Sequence, residues 1–157
     1  MDKKLKCFLK DNNISYIEHE HPAVFTVEDS KLIKKDIPVM HTKSLFLKDE
    51  KENYYLFCID AFKRLDMKKI KCNFNLKKLT FGSPEELKKE LNTTYGSVSI
   101  FAMIYAKNIN LIIDKDIWIA KSSGFHPNIN TSTLEIDNKN LKKYLNLLNC
   151  KFEIMDL

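Results

Sequence analysis

Few residues in this chain offer obvious chemistry, and the most conspicuous is a lysine in apolar company. Lys43 lies within Met40-His41-Thr42-Lys43-Ser44-Leu45-Phe46-Leu47-Lys48, an otherwise β-prone run. Strand alternation puts Lys43, Leu45 and Leu47 on one face and Thr42, Ser44 and Phe46 on the other, so the lysine points where a core side chain would. Burying an ammonium without a partner lowers its pKa by up to roughly 3 to 5 units, at about 1.36 kcal/mol per unit. A resident or visiting anion removes that cost, which makes Lys43 the candidate functional centre. The plain alternative is a lysine that begins the strand and snorkels to water. His19 and His21 would share a strand face, but Pro22 breaks the strand and no third ligand is evident, so they read as structural or pocket-lining groups, with no metal site. A G-x-S-x-G elbow, a Walker lysine and H-E-x-x-H are all missing, and glycine occurs only at 82, 96 and 124, so a phosphate-loop enzyme is excluded.

Bulk properties narrow the class. At 157 residues the chain fits a single domain, 1–157, with a real core. A hydrophobic fraction of 44% is globular, no apolar run reaches membrane-span length, and the start lacks a signal-peptide pattern. A soluble, cytoplasmic protein is expected. Cys7, Cys58, Cys72 and Cys150 are scattered without a C-x-x-C pair, as reduced, small apolar residues would be. The net charge of +5 rests on lysine, with Arg64 the single arginine. Such an excess suits a polyanion held by its backbone, because lysine lacks the planar fork used to read bases. It also suits a compositional bias with no partner at all. The densest positive patch is Lys63-Arg64-Leu65-Asp66-Met67-Lys68-Lys69-Ile70-Lys71, with Lys77 and Lys78 close behind: a solvated face or one that meets phosphates.

The elements that must position these groups follow from local signals. Asp2 caps a first helix with Leu5, Phe8 and Leu9 on its apolar stripe, and Asn12-Asn13 suits its exit. Ile14 to His19 reads as a strand. Thr26 caps a second helix with Glu28 and Asp29 in its first turn, fading near Ile37-Pro38. The Lys43 strand and Tyr54 to Ile59 form a hairpin around Asp49–Asn53. Leu79 to Phe81 is a short strand. Ser83, Pro84 and Glu86 make a capping box for a helix through Leu87 and Leu91. Asn92 to Ser97 is a loop, and Val98 to Ile104 fits a strand or a short helix. Ile109 to Ile113 is a strand, Asp114 to Asp116 a turn, Thr131 to Ile136 a strand. Asp137 caps a helix carrying Leu141, Tyr144, Leu145 and Leu148, and Phe152 to Ile154 closes the sheet. Hairpins mixed with crossover helices predict an α/β fold with a central, curved mixed sheet flanked by helices.

Four stretches in order carry a resemblance: Glu20-His21-Pro22-Ala23-Val24-Phe25-Thr26-Val27-Glu28, Lys43-Ser44-Leu45-Phe46-Leu47, Gly96-Ser97-Val98-Ser99, and Phe125-His126-Pro127 with Asn130 and Thr131. Together they resemble the YbaK/prolyl-tRNA-synthetase-associated domain family, and more narrowly its freestanding trans-editing branch, over nearly the whole chain. The resemblance implies a mixed-sheet α/β fold and hydrolysis of mischarged aminoacyl-tRNA, above all Ala-tRNA(Pro), without a cofactor. It implies the tRNA acceptor end as partner, and prolyl-tRNA synthetase as a further one. Lys43 matches the family's functional lysine, held to position the terminal phosphate or the ester, and Ser44 lies beside it in the binding set. Gly96 and Ser97 fall on a Gly-x-x-x-Pro loop whose backbone amides face the oxyanion. His126 falls on the pocket histidine. Tyr16, Phe25, Thr26 and Val27 match the side that fits a small side chain; as isolated residues they would be ordinary core. A catalytically silent tRNA-binding or synthetase-associating module is the alternative. This chain departs from the pattern with Ser44 in place of the branch's usual Asn and with Ile100 in place of the loop proline, which would have locked φ.

Overall fold

The computed structural model describes residues 1–23, 37–148 and 150–157. Phe25, Thr26 and Val27, and the helix expected to start there, lie outside the described residues. The elements are α1 (Lys3–Asp11), β1 (Ile17–Glu20), β2 (Met40–Asp49), β3 (Tyr54–Asp60), α2 (Met67–Asn73), β4 (Leu79–Phe81), α3 (Pro84–Leu91), a 3-10 helix (Ile100–Ile104), β5 (Ile109–Asp114), α4 (Lys115–Ile119), β6 (Ser122–Phe125), β7 (Ser132–Asp137), α5 (Asn138–Leu147) and β8 (Phe152–Met155).

The strands make one mixed sheet in the order β1-β7-β6-β2-β3-β5-β8, with β4 paired to β2. The pairs β1/β7, β6/β7, β2/β3 and β2/β4 are antiparallel; β2/β6, β3/β5 and β5/β8 are parallel. The sheet's two halves meet through Met40 against Ser123 and His41 against Gly124. Helices flank it as the sequence predicts. Among the described residues no helix is long and apolar enough to cross a membrane.

Strand alternation divides the core. Phe46, Leu56, Cys58, Leu111 and Ile113 face α1, α3, the 3-10 helix and α5, where Leu5, Leu9, Leu87, Leu91 and Tyr144 are fully buried. Leu47, Tyr55, Phe57, Ile59 and Ile112 face the other way, onto Leu65 and Ile70 of the α2 region. Being covered on both faces, β3 shows an unbroken apolar run instead of alternation. We call the first the inner face and the second the outer face.

Helix ends follow side-chain chemistry. The Asp2 carboxylate accepts from Leu5 N at 2.9 Å, and Asn13 turns the chain out of α1 at φ 48°. Ser83 and Glu86 close their capping box reciprocally. Some expectations shift. Ile14 donates to the Leu9 carbonyl at 2.9 Å and stays with the helix exit, so β1 begins at Ile17. Val98 to Ile104 resolves into the 3-10 helix, capped by Ser99. Asp114 caps a one-turn helix where a turn was expected, and Ser122–Phe125 is a strand that local propensity did not announce.

Candidate functional site

Register decides which candidate residues meet. Residues paired across neighbouring strands point to the same side of a sheet. His41 pairs with Gly124, Gly124 with Glu135, and Glu135 with Ile17; His19 pairs with Thr133. Stepping two residues along β2 and β1 places Lys43 and His19 on the outer face as well; His21, just past β1, joins them at the Thr133 hydroxyl, and His126, just past β6, lies with its ring beside that of His21. The chain's four histidines and Lys43 thus lie along one side of β1, β7, β6 and β2.

Lys43 stands at the boundary between that polar band and the second core, paired with Ile59 across β3. Its amine donates to the Ala61 carbonyl at 3.1 Å and to the Lys63 carbonyl. Burial lowers its pKa, and the charge of Asp60 opposes the fall. The resident partners are therefore neutral carbonyls. They use two of the three ammonium N–H groups, and the third can meet an anion. The carbonyls are held in turn: the Lys63 amine reaches Asp114 at 3.0 Å and Asp116 at 2.7 Å, and its own pKa rises because of those carboxylates against an opposing burial. Asp114 is fully buried.

His126 follows β6 and sets Nδ1 at 2.9 Å from the Ser132 carbonyl. A carbonyl only accepts, so Nδ1 carries the proton and Nε2 of the neutral ring is an acceptor. His21 lies alongside, ring centroids 5.8 Å apart. Its Nδ1 donates to the Pro22 carbonyl at 2.8 Å, leaving Nε2 to accept from the Thr133 hydroxyl at 3.0 Å. His19 is paired with Glu135 at 2.9 Å. Gly124 makes the close approach of β2, β6 and β7 possible: a Cβ there would stand 2.9 Å from Val39 Cγ2 and 3.0 Å from Thr133 Cγ2.

Other sequence candidates fall elsewhere. Ser44 points inward and shares a hydrogen bond with Cys58 Sγ at 3.3 Å; burial and desolvation push that thiol up to about 12. Gly96, at φ 79°, and the buried Ser97 lie in the loop after α3, and the Ser97 N–H already closes a turn on the Thr94 carbonyl at 3.1 Å. That loop is tied inward. The Tyr95 hydroxyl donates to the Gly82 carbonyl at 2.7 Å, and Gly82 in turn donates to the Phe46 carbonyl at 3.0 Å, close above the Phe46 ring. Described contacts therefore bring Lys43 and His126 to one face and hold Gly96 and Ser97 on the other. Ile100 is fully buried, and the Tyr144 hydroxyl donates to the carbonyls of Ile100 and Phe101, each at 3.2 Å, so packing restrains the loop where a proline would have done so covalently. Tyr16 is partly buried against the inner core; burial, then the charge of Glu18, raises its pKa. Near it, at the β1 edge, an open cleft of about 570 Å³ is lined by Met1, Glu18, Glu20, His21, Ile129, Thr131 and Ser132. Glu18 in that cleft accepts from the Ser132 hydroxyl at 3.1 Å and lies 3.6 Å from the Met1 amine. Ser132 and Thr133 escaped sequence reasoning because nothing but strand register brings them to the histidines.

A family model for the aminoacyl-tRNA editing domain matches residues 21–144. The prolyl-tRNA editing protein ProX of Acetoanaerobium sticklandii is 28% identical over 152 residues, spanning 95% of this chain and 93% of that protein. The prolyl-tRNA synthetase associated domain-containing protein 1 of Danio rerio is 27% identical over 147 residues, spanning 91% and 80%. Two solved structures share the fold. The crystal structure of a hypothetical protein superposes with TM-score 0.76 at 16% identity, covering 97% of this chain and 98% of that one. A crystal structure described as a candidate trans-editing enzyme for prolyl-tRNA synthetase has TM-score 0.71 at 18% identity, covering 97% and 96%.

Proposed function

The chain belongs to the aminoacyl-tRNA editing domain family, and from that membership we propose that it is an aminoacyl-tRNA deacylase whose preferred substrate is Ala-tRNA(Pro). The observation that carries the reading is the common outer face of Lys43 and His126, a cation and an imidazole acceptor joined by a sheet. An aminoacyl ester needs little activation. Water held against its carbonyl adds to the carbon, the negative charge moves to the carbonyl oxygen, and the bond to the ribose oxygen then breaks as that oxygen takes a proton. In this reading Lys43 meets the terminal phosphate or the developing oxyanion through its third N–H. His126 Nε2 accepts from the attacking water and passes the proton on. Thr133 and the Pro22 carbonyl orient His21 beside it.

The similarity to ProX supports a prolyl-tRNA context, with prolyl-tRNA synthetase as a working partner. A pocket that admits a methyl side chain and excludes proline by volume would spare the correct product. The proposal assigns Phe25, Thr26 and Val27 to that pocket from the family match, and leaves out Tyr16, Ser44 and the Gly96 loop, which turn to the inner face.

The test is a deacylation panel: purified protein with Ala-, Ser-, Cys- and Pro-charged tRNA(Pro), wild type against Lys43→Ala and His126→Ala. Release of alanine by the wild type, sparing of Pro-tRNA and loss in both variants is expected. Binding without release from any of them would instead select a silent tRNA-binding module.

A further inference from the structure

Between residues 61 and 78 the chain carries six lysines and Arg64 against one acid, Asp66. Packing turns this charge to solvent. Ile70 is buried in the outer core, with Met67 and Phe74 packed beside it, which leaves Lys68 and Lys69 on the exposed side of α2. Arg64, Lys77 and Lys78 are exposed too. The neighbouring acids are occupied by backbone: Asp66 accepts from the N–H groups of Lys68 and Lys69 at 2.9 and 3.0 Å, and Glu50 from those of Lys77 and Lys78 at 3.1 to 3.2 Å. Among the described residues Lys63 is the member of this set engaged in an ion pair.

An aromatic side chain sits at the end of the strip. Phe62 is 69% exposed, and it lies between Ala61 and Lys63, whose carbonyls hold the Lys43 amine. A row of point charges leading to an exposed ring is the arrangement that binds single-stranded nucleic acid with little regard to sequence: ammonium groups take phosphates and the ring stacks a base. We infer that the outer surface of α2 and its flanking loops is an RNA-docking strip, on which Arg64, Lys68 and Lys77 hold the acceptor-strand backbone while Phe62 stacks a base of the unpaired 3′ end. This rests on the deacylase reading for its purpose, since the strip ends where Lys43 would receive the ester, but not for its measurement.

Uncharged tRNA and fluorescence anisotropy test it. Arg64→Glu/Lys68→Glu/Lys77→Glu is compared with Lys3→Glu/Lys6→Glu/Lys10→Glu, an equal change of net charge on α1 across the sheet. The strip variant should raise Kd at least about tenfold and flatten the slope of log K against log[salt] by roughly 2 to 3, the share of three phosphate contacts, while the α1 variant stays within about threefold of wild type. Phe62→Ala should weaken binding about fivefold or more with an unchanged salt slope, because stacking releases no counterions. Equal losses in the two triple variants, or a strip variant with the wild-type slope, would overturn the docking strip; wild-type affinity in Phe62→Ala would overturn the stacking. A wild type that binds through the strip yet hydrolyses no aminoacyl-tRNA would sink the deacylase reading and leave this one standing.

Discussion

Replacing Lys43 with methionine keeps the length of the side chain and deletes its charge, so it separates the two duties the lysine performs. One is structural. The amine bridges the carbonyls of Ala61 and Lys63, and hydrogen bonds of this charged kind contribute about 1.5 to 3 kcal/mol each before solvent regains the acceptors. Against that loss stands relief of the burial that lowers the lysine's pKa. The net expectation is a loss of about 1 to 2 kcal/mol, or a drop in Tm of about 2–8 °C for a chain of this size. The other duty is catalytic: removing one preorganised charge from the reacting group costs roughly 10² to 10³ in rate. Single-turnover deacylation and thermal melting of wild type, Lys43→Met and Lys43→Arg measure the two together. Linkage adds a sign. The folded pKa of Lys43 lies below its ordinary 10.5, so between those values the unfolded chain binds more protons and wild-type stability rises with pH; the methionine variant lacks this rise. A rate within about threefold of wild type would refute the catalytic duty, and a Tm loss beyond about 15 °C, some 5 kcal/mol, would make the lysine a structural keystone instead.

Three further outcomes are expected. Lys63→Met leaves the fully buried Asp114 without its ammonium and should cost about 3 to 5 kcal/mol, read from urea unfolding at neutral pH; a loss under about 1 kcal/mol would show that the pair is not structural. Tyr144→Phe removes the hydroxyl that donates to the carbonyls of Ile100 and Phe101, leaving Phe101 with the Asn128 amide at 3.4 Å, and should lower stability by about 1 to 2 kcal/mol in thermal melts; an unchanged Tm would deny the hydroxyl its role in holding the loop. Gly124→Ala forces a Cβ against Val39 and Thr133 where β2, β6 and β7 converge, costing about 1 to 3 kcal/mol and, by parting Lys43 from His126, depressing kcat more than a surface variant of equal stability does.

The sequence by itself determined what local chemistry determines. Asp2, Ser83 and Asp137 announce their helices because caps act over three or four residues, and the Lys43 run declares its two faces because a strand's period is two. It also brought Lys43 and His126 forward through motif order. It did not show which candidates meet. That Lys43 and His126 share the outer face while Ser44 and the Gly96 loop turn inward depends on two parallel pairs between β2 and β6, between residues 83 positions apart in sequence, which no local pattern encodes. For the same reason tertiary structure alone decided that carbonyls, fixed through Lys63 and a buried aspartate, accept the lysine's protons: partners separated along the chain are selected by packing, and packing is a property of the assembled sheet.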